Sequence, residues 1–315
     1  MNTILTRICT CVRQALPRSA RTCLWLLKII LPISLLVRLL QYSGLLGAFS
    51  ARLEPLFSLI GLPGETAIVF ITSIFCPLYA PIALISSMGL GVREATILAL
   101  MCLVSHNLVV ESSVQARTGS RFWEITLLRI VMSFVIALSL HWIMPRDGWG
   151  TVGVSAGAEA YDSLRDVFIL WFVSSMKVVF TIVAIVTALM ILHYILEEFR
   201  LMKGLSNVFA PLMGFMGLPR DTAFLWLVGN LVGLAYGGAI MVEQVEQKKL
   251  SCKNGNLLNY HLAVNHSMLE DTIIFVAIGI PALWILLTRL LFAAAVVWLR
   301  RLYDYIYTQH QQIKI

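Results

Sequence analysis

Polar residues able to do chemistry are few in this chain, and they recur in a pattern. His106-Asn107-x-x-x-Glu111-Ser112 faces Asn265-His266-x-x-x-Glu270-Asp271 at an offset of 159 residues. Asn107 and Glu111 stand four apart, as do His266 and Glu270, so each pair shares one face of a continuous helix. A carboxylate pair with a histidine can bind a cation, take a proton or hydrogen-bond a polar solute. Ionisable side chains inside apolar helices are costly and by default mark function. The plain alternative is a buried polar cluster that only holds helices together. His106, Asn107, Glu111, Ser112, Asn265, His266, Glu270 and Asp271 are the candidate binding group.

Other polar positions carry weaker signals. Glu65-Thr66 and Asp221-Thr222 follow Pro63 and Pro219. Acids and hydroxyls suit a first helical turn and Pro its first position, so capping is the plain reading. Half-helix N-termini in transporters also point at substrate, which keeps Glu65, Thr66 and Thr222 among the candidates. Cys76 is a candidate soft metal ligand, against the plain reading of a small buried residue, since no second thiol is spaced to join it. Arg129 and Arg289 are expected to pair with acids or to snorkel. Lys28, Arg38 and Lys177 interrupt apolar helices, and His141 and His193 sit near helix ends.

The elements that hold these residues belong to a membrane protein. Of 315 residues 59% are hydrophobic and 13% charged, with a mean hydropathy of +0.84. A soluble domain carries about 25% charged residues, so this chain lacks the polar surface to face water all round. Several apolar stretches approach the roughly 20 residues that span a hydrocarbon core, and no series of short alternating strands marks a barrel. The net charge of +7 comes from basic residues in short loops between apolar helices, which writes membrane topology, not a nucleic-acid surface. The six cysteines form no C-x-x-C or paired framework, and no phosphate-cradling glycine loop occurs. No nucleophile–base pair or zinc spacing appears, so neither an enzyme nor a cofactor is expected.

The chain is internally duplicated. Pro55 and Gly61-Leu62-Pro63-x-x-Thr66-Ala67 recur as Pro211 and Gly217-Leu218-Pro219-x-x-Thr222-Ala223, each offset by 156 residues. Arg129 faces Arg289 at an offset of 160. Repeat one is expected at 22–145 and repeat two at 166–302. A basic arm (1–21), an external linker (146–165) and a cytoplasmic tail (303–315) complete the chain. Residues 22–46 could pass for a signal peptide, but their counterpart lies mid-chain, so the first helix is expected to be retained.

Each repeat reads as three transmembrane helices and a broken re-entrant hairpin, at about 64–91 and 220–243. Cys76-Pro77 and Pro81 interrupt the first hairpin; Gly233 and Gly237-Gly238 interrupt the second. Three crossings are an odd number, so the expected fold is all-α with two inverted repeats. The basic residues agree: with the N-terminus inside, most fall on inner segments. Discontinuous helices in inverted repeats are the architecture of secondary transporters, with the site where repeats meet.

The two Gly-Leu-Pro hairpins and polar-centred helices resemble the nucleoside-recognition, or Gate, family of membrane proteins. That family is related to concentrative nucleoside transporters, spore maturation proteins and the gates of FeoB-type ferrous-iron transporters. The resemblance covers about 22–145 and 165–300. Leu62-Pro63-Gly64 followed by Cys76 is similar to the iron-transporter gate. Phe75 stands where that family has glycine, and no phosphate loop of a GTP-binding domain occurs in these 315 residues. The resemblance implies a multi-pass protein of the bacterial inner membrane, a permease for a small polar, nucleoside-like solute. The alternatives are a divalent-metal permease or a non-transporting gate or scaffold of a partner complex. Its expected partners are the lipid bilayer and a small polar solute or cation, with a homo-oligomer allowed for and nucleic acid not expected.

Overall fold

The computed structural model describes residues 2–146, 150–152, 163–231 and 233–312. Among them every regular element is helical, with one isolated bridge between Gly91 and Thr151. The helices fall into two matching runs. The first comprises α1 (Asn2–Tyr42), α2 (Leu45–Ser58), α3 (Ala67–Phe75), α4 (Tyr79–Met88), α5 (Val92–Ser105), α6 (Leu108–Ala116) and α7 (Phe122–Ile143). The second comprises α8 (Leu164–Glu198), α9 (Leu201–Phe215), α10 (Ala223–Leu231), α11 (Leu234–Glu246), α12 (Cys252–Val264), α13 (Met268–Ala277) and α14 (Ala282–Gln312). A 3₁₀ turn precedes α3 (Gly64–Thr66) and its counterpart α10 (Arg220–Thr222).

The backbone itself records the duplication. Positive-φ residues, Gly233 excepted, fall in pairs: Gly44 and Arg200, Gly61 and Gly217, Gly89 and Lys248, Asn107 and Ser267, Gly119 and Gly279. Positive φ is uncommon outside glycine, so its recurrence at matched places in one order marks a shared chain path. These pairs also change the register expected at the polar centre. The offset there is 160, not 159, so His106 matches His266, Asn107 matches Ser267 and Glu111 matches Asp271. Glu270 falls opposite Val110.

Several elements differ from the sequence expectation. The basic arm is not separate: α1 runs unbroken through it for 41 residues, roughly 60 Å, about twice a hydrocarbon core. The polar-centred helix of each repeat is broken, between α5 and α6 and between α12 and α13. Asn107 and His266 lie at those breaks, so they do not share a helical face with Glu111 and Glu270. Among the described residues, the hairpins are interrupted at Cys76-Pro77 and around Gly233. Pro81 lies in the first turn of α4, where a missing N–H leaves no helical bond unmade. Gly237 and Gly238 stay helical and serve close packing. A Cβ on Gly237 would lie 3.1 Å from the Gly229 backbone, and one on Gly238 would lie 2.1 Å from Val114.

Two compact units emerge. Unit 1 holds Met1–Asn107, Ser133–Glu198 and Asp271–Ile285; unit 2 holds Leu108–Met132, Phe199–Glu270 and Leu286–Ile315. Each unit therefore takes the segment after the broken helix from the other repeat. In unit 1, α1 and its counterpart α8 pack antiparallel: Arg7 meets Glu198 at 2.7 Å, and Ser19 meets Thr187 at 3.4 Å. Tyr79 packs over Cys23, Ala83 and Val186. In unit 2, buried Trp226 packs between Phe209, tilted against it, and His261, which meets it edge-on. The Trp298 indole donates to the Phe215 carbonyl.

The outer faces suit lipid. On α7 the exposed residues Trp123, Leu127, Val131, Val135, Leu138 and Trp142 form one stripe at helical spacing. The two Trp residues bracket roughly 29 Å, the thickness of a hydrocarbon core, as interfacial aromatics do. The opposite face of α7 buries Ile125, Arg129, Ser133, Ile136 and Leu140. Phe122–Ile143 and Ala282–Gln309 are each long and apolar enough to span a membrane, and α5 with α6 passes that test as a broken pair. Of the linker, residues 147–149 and 153–162 lie outside the described residues, as do residues 313–315 of the tail. The side chains of Lys177 and His193 also lie outside what is described.

Inside unit 2 the turn after α6 is latched onto α12. Asn259 Nδ2 donates to the Gln115 carbonyl, Thr118 Oγ1 and Ser120 Oγ, while Gln115 Nε2 returns a bond to the Asn259 carbonyl. A Cβ at Gly255 would lie 2.2 Å from the Thr118 carbonyl oxygen, whereas one at Gly214 would meet nothing within 4 Å. Gly255→Ala is therefore expected to lower stability by about 1–3 kcal/mol through overpacking. Gly214→Ala should leave the thermal melt in detergent unchanged or raise it. Equal melts for the two variants would contradict the close packing.

Candidate functional site

The site begins with a backbone problem. Broken helices leave N–H and C=O groups without helical partners, and lipid supplies none. Left-handed Asn107 and Ser267 each turn an N–H away from the helix they end. In unit 1 the Asn107 N–H donates to the Ser73 carbonyl at 2.9 Å, and in unit 2 the Ser267 N–H donates to the Gly229 carbonyl at 2.9 Å. Ser73 and Gly229 hold the same place near the ends of α3 and α10. One bond thus ties each helix break to the hairpin break beside it, and it recurs in both repeats. A side chain at Gly233 would meet Ser267 Oγ at 2.9 Å, so the unit 2 breaks touch.

Unit 2 assembles charge at this crossing. Glu111, on α6, is buried. Arg129, on the inner face of α7 and fully buried, brings Nη2 to 2.7 Å from Glu111 Oε2. His266, in the α12–α13 break, brings Nε2 to 3.3 Å from the same oxygen. Its Nδ1 lies 2.7 Å from the Leu262 carbonyl, which can only accept, so Nδ1 carries a proton. Buried Arg289 on α14 donates to the carbonyls of His266 and Val264, fixing the break from behind. Both arginines therefore face inward and engage polar groups; neither snorkels.

Amides complete the setting. Asn265 closes α12, and Asn230 is the penultimate residue of α10; both are fully buried. Asn230 Nδ2 donates to the Trp226 carbonyl and Asn265 Nδ2 reaches Met268 sulfur, while both Oδ1 atoms lack a hydrogen-bond partner. Ser112 Oγ on α6 is likewise buried and unpartnered. Buried acceptors left unpaired are uncommon and call for a reason, such as a ligand that donates to them. Asn230 was not among the sequence candidates. Its signal was a lone amide beside a helix break.

The remaining candidates are placed as follows. In unit 1 His106 is buried with Nδ1 against the Cys102 and Leu103 carbonyls. Asp271 is buried on the part of α13 that belongs to unit 1, while Glu270 is half-buried at the edge of unit 2. Thr66 and Thr222 donate to the carbonyls of Pro63 and Pro219, at 2.6 and 2.7 Å. These hydroxyls hold the 3₁₀ turns, and Thr66 makes no side-chain cap bond to α3. Glu65 is half-buried beside an open cleft with Glu54 and Glu94, and Glu54 accepts from the Gly64 N–H. Cys76 ends α3, and its carbonyl accepts from Asn107 N–H at 3.2 Å. In unit 1 Arg38 is buried and Lys28 exposed, while Arg93 bonds the His141 carbonyl.

Removing one member of a buried ion pair strands the other in a low-dielectric interior. Arg129→Leu is expected to cost about 3–5 kcal/mol, read as a lower melting temperature in detergent. The double variant Glu111→Leu/Arg129→Leu should recover most of that loss. A double-mutant cycle with no coupling would show that the pair contributes nothing.

A model of the nucleoside-recognition family matches residues 23–144. The chain is also similar to an uncharacterized membrane protein, YvoD, of Bacillus subtilis (strain 168). The two are 32% identical over 264 residues, which cover 83% of this chain and 85% of that one. No solved structure matches at a significant level. The chain therefore belongs to the nucleoside-recognition, or Gate, family of membrane proteins.

Proposed function

We propose that this protein is a multi-pass permease of the bacterial inner membrane that binds a small polar solute of nucleoside type. The observation that carries the reading is the crossing in unit 2. There two broken helices are tied by one backbone bond and surrounded by Glu111, Arg129, His266, Asn230 and Asn265. The unpaired amide oxygens suit a solute with hydroxyl or N–H donors, as a sugar or base edge has. The family model carries the description "Nucleoside recognition", which favours that solute class.

The reading includes inverted repeats. Antiparallel packing of α1 on its own counterpart α8 supports inversion, because repeats related by an axis in the membrane plane place equivalent helices in opposite senses. In a transporter such an axis allows one half to rock against the other about a fixed site. The protein works by binding and release, without covalent chemistry.

Reconstituted protein is expected to move radiolabelled nucleosides or bases into liposomes, with Glu111→Gln losing most uptake and Glu111→Asp, which keeps a carboxylate for Arg129, retaining a measurable part of it. A panel of nucleosides and bases that shows no movement under any imposed gradient would refute the permease. On this reading both chain ends and the α11–α12 connection are expected inside, and the 146–165 linker outside. Exposed Cys9 and Cys252 should then resist a membrane-impermeant thiol reagent added to intact cells, and Ser155→Cys should react. The opposite labelling pattern would reverse the orientation.

A further inference from the structure

His266 and His106 occupy matched places in the two helix breaks, and their rings are held in the same way. Each keeps Nδ1 against the carbonyl four residues back, Leu262 at 2.7 Å and Cys102 at 3.2 Å. A carbonyl only accepts, so both rings are held with the proton on Nδ1 and present Nε2. In unit 2, Nε2 of His266 then looks at Glu111 Oε2 from 3.3 Å, with only 1% of the ring exposed. A neutral ring facing an ionised carboxylate would oppose two lone pairs in a dry place. A proton on either atom turns that repulsion into attraction.

We propose that His266 Nε2 and the Glu111 carboxylate hold one exchangeable proton, and that its binding and release drive solute movement. The second clause rests on the permease reading; the first stands without it. The proton joins Nε2 from water, giving an imidazolium against the ionised carboxylate, and returns to water on release, with no other bond changed. Within unit 2 the charged and titratable groups around the pair each have a task. Arg129 on α7 pairs with Glu111 through Nη2 at 2.7 Å. Arg289 on α14 bonds the His266 carbonyl, not the ring. His261 on α12 is engaged by the Trp226 indole and Met216 sulfur. Glu270 follows on α13, one turn after His266. The repeat supplies an equivalent acid for His106 in unit 1, namely Asp271.

The proton site is read by ¹⁵N spectroscopy of histidine-labelled protein in lipid nanodiscs, with His266 assigned by the signals lost in His266→Gln. Nδ1 should stay protonated at every pH. Nε2 should move from the protonated to the lone-pair position as pH rises, and Glu111→Gln should shift that change to lower pH. An Nε2 signal fixed in one form across the pH range, or one unmoved by Glu111→Gln, would overturn the proton site. A monodisperse size-exclusion profile guards against misfolding, and Glu111→Asp, which keeps a carboxylate for Arg129, is the second variant and should keep the titration. Coupling is read separately, with a membrane-impermeant pH-sensitive dye in the medium outside the liposomes. Adding transported nucleoside should alkalinise the outside medium in the parent protein and not in His266→Gln. Uptake without any pH change would overturn the coupling while leaving the permease intact. No uptake with a titrating Nε2 would leave the proton site and sink the permease.

Discussion

Backbone polar groups at membrane depth have nowhere to bond except within the protein, and this constraint organises the molecule. Each repeat breaks two helices near each other, and each break exposes groups that would cost several kcal/mol apiece in hydrocarbon. The bonds from Asn107 to Ser73 and from Ser267 to Gly229 let one break satisfy the other. A hairpin break and a helix break that must meet in this way fix the height of both. Neighbouring side chains are then set at the same height, which is how buried polar residues from distant parts of the chain reach one place.

Charge follows from that geometry. Arg129 sits on the buried face of α7, opposite the lipid-facing stripe from Trp123 to Trp142, so it cannot reach water by snorkelling. An arginine held there requires a carboxylate, and Glu111 supplies it at 2.7 Å. Such a pair is weak grounds for stability, since its desolvation offsets much of its attraction. Beside it stand a histidine and two amides whose oxygens lack partners, and the proposed solute site is built from these groups together.

The duplication explains why these partners come from opposite ends of the chain. Unit 2 takes α6 and the first half of α7 from the first repeat and joins them to α9 through α12 of the second. Glu111 and Arg129 therefore arrive from one repeat, and His266, Asn230 and Asn265 from the other. Small residues make this exchange feasible. Gly238 lets α11 lie against Val114 of α6, and Gly255 lets α12 lie against the Thr118 carbonyl.

Composition alone dictated a helical membrane protein, because a chain with 13% charged residues cannot cover a water-facing surface. The recurrence of Gly-Leu-Pro was enough to reveal the duplication and its offset of 156. Residue type also marked Glu111, His266 and Arg129 as exceptional, since charge is rare inside apolar helices. The sequence could not show that the polar-centred helices are broken, for neither His106-Asn107 nor Asn265-His266 is a helix breaker by propensity. Left-handed backbone at Asn107 and Ser267 is stabilised by a carbonyl some 34 to 38 residues away in the chain, a tertiary contact with no local signature. The same backbone decided that Asp271, not Glu270, is the counterpart of Glu111, because two adjacent acids satisfy a pattern equally well until the register of the break is known. Gly237-Gly238 was misread as a second break for a related reason: glycine serves unwinding and close packing alike, and only the distance to the neighbouring helix tells which.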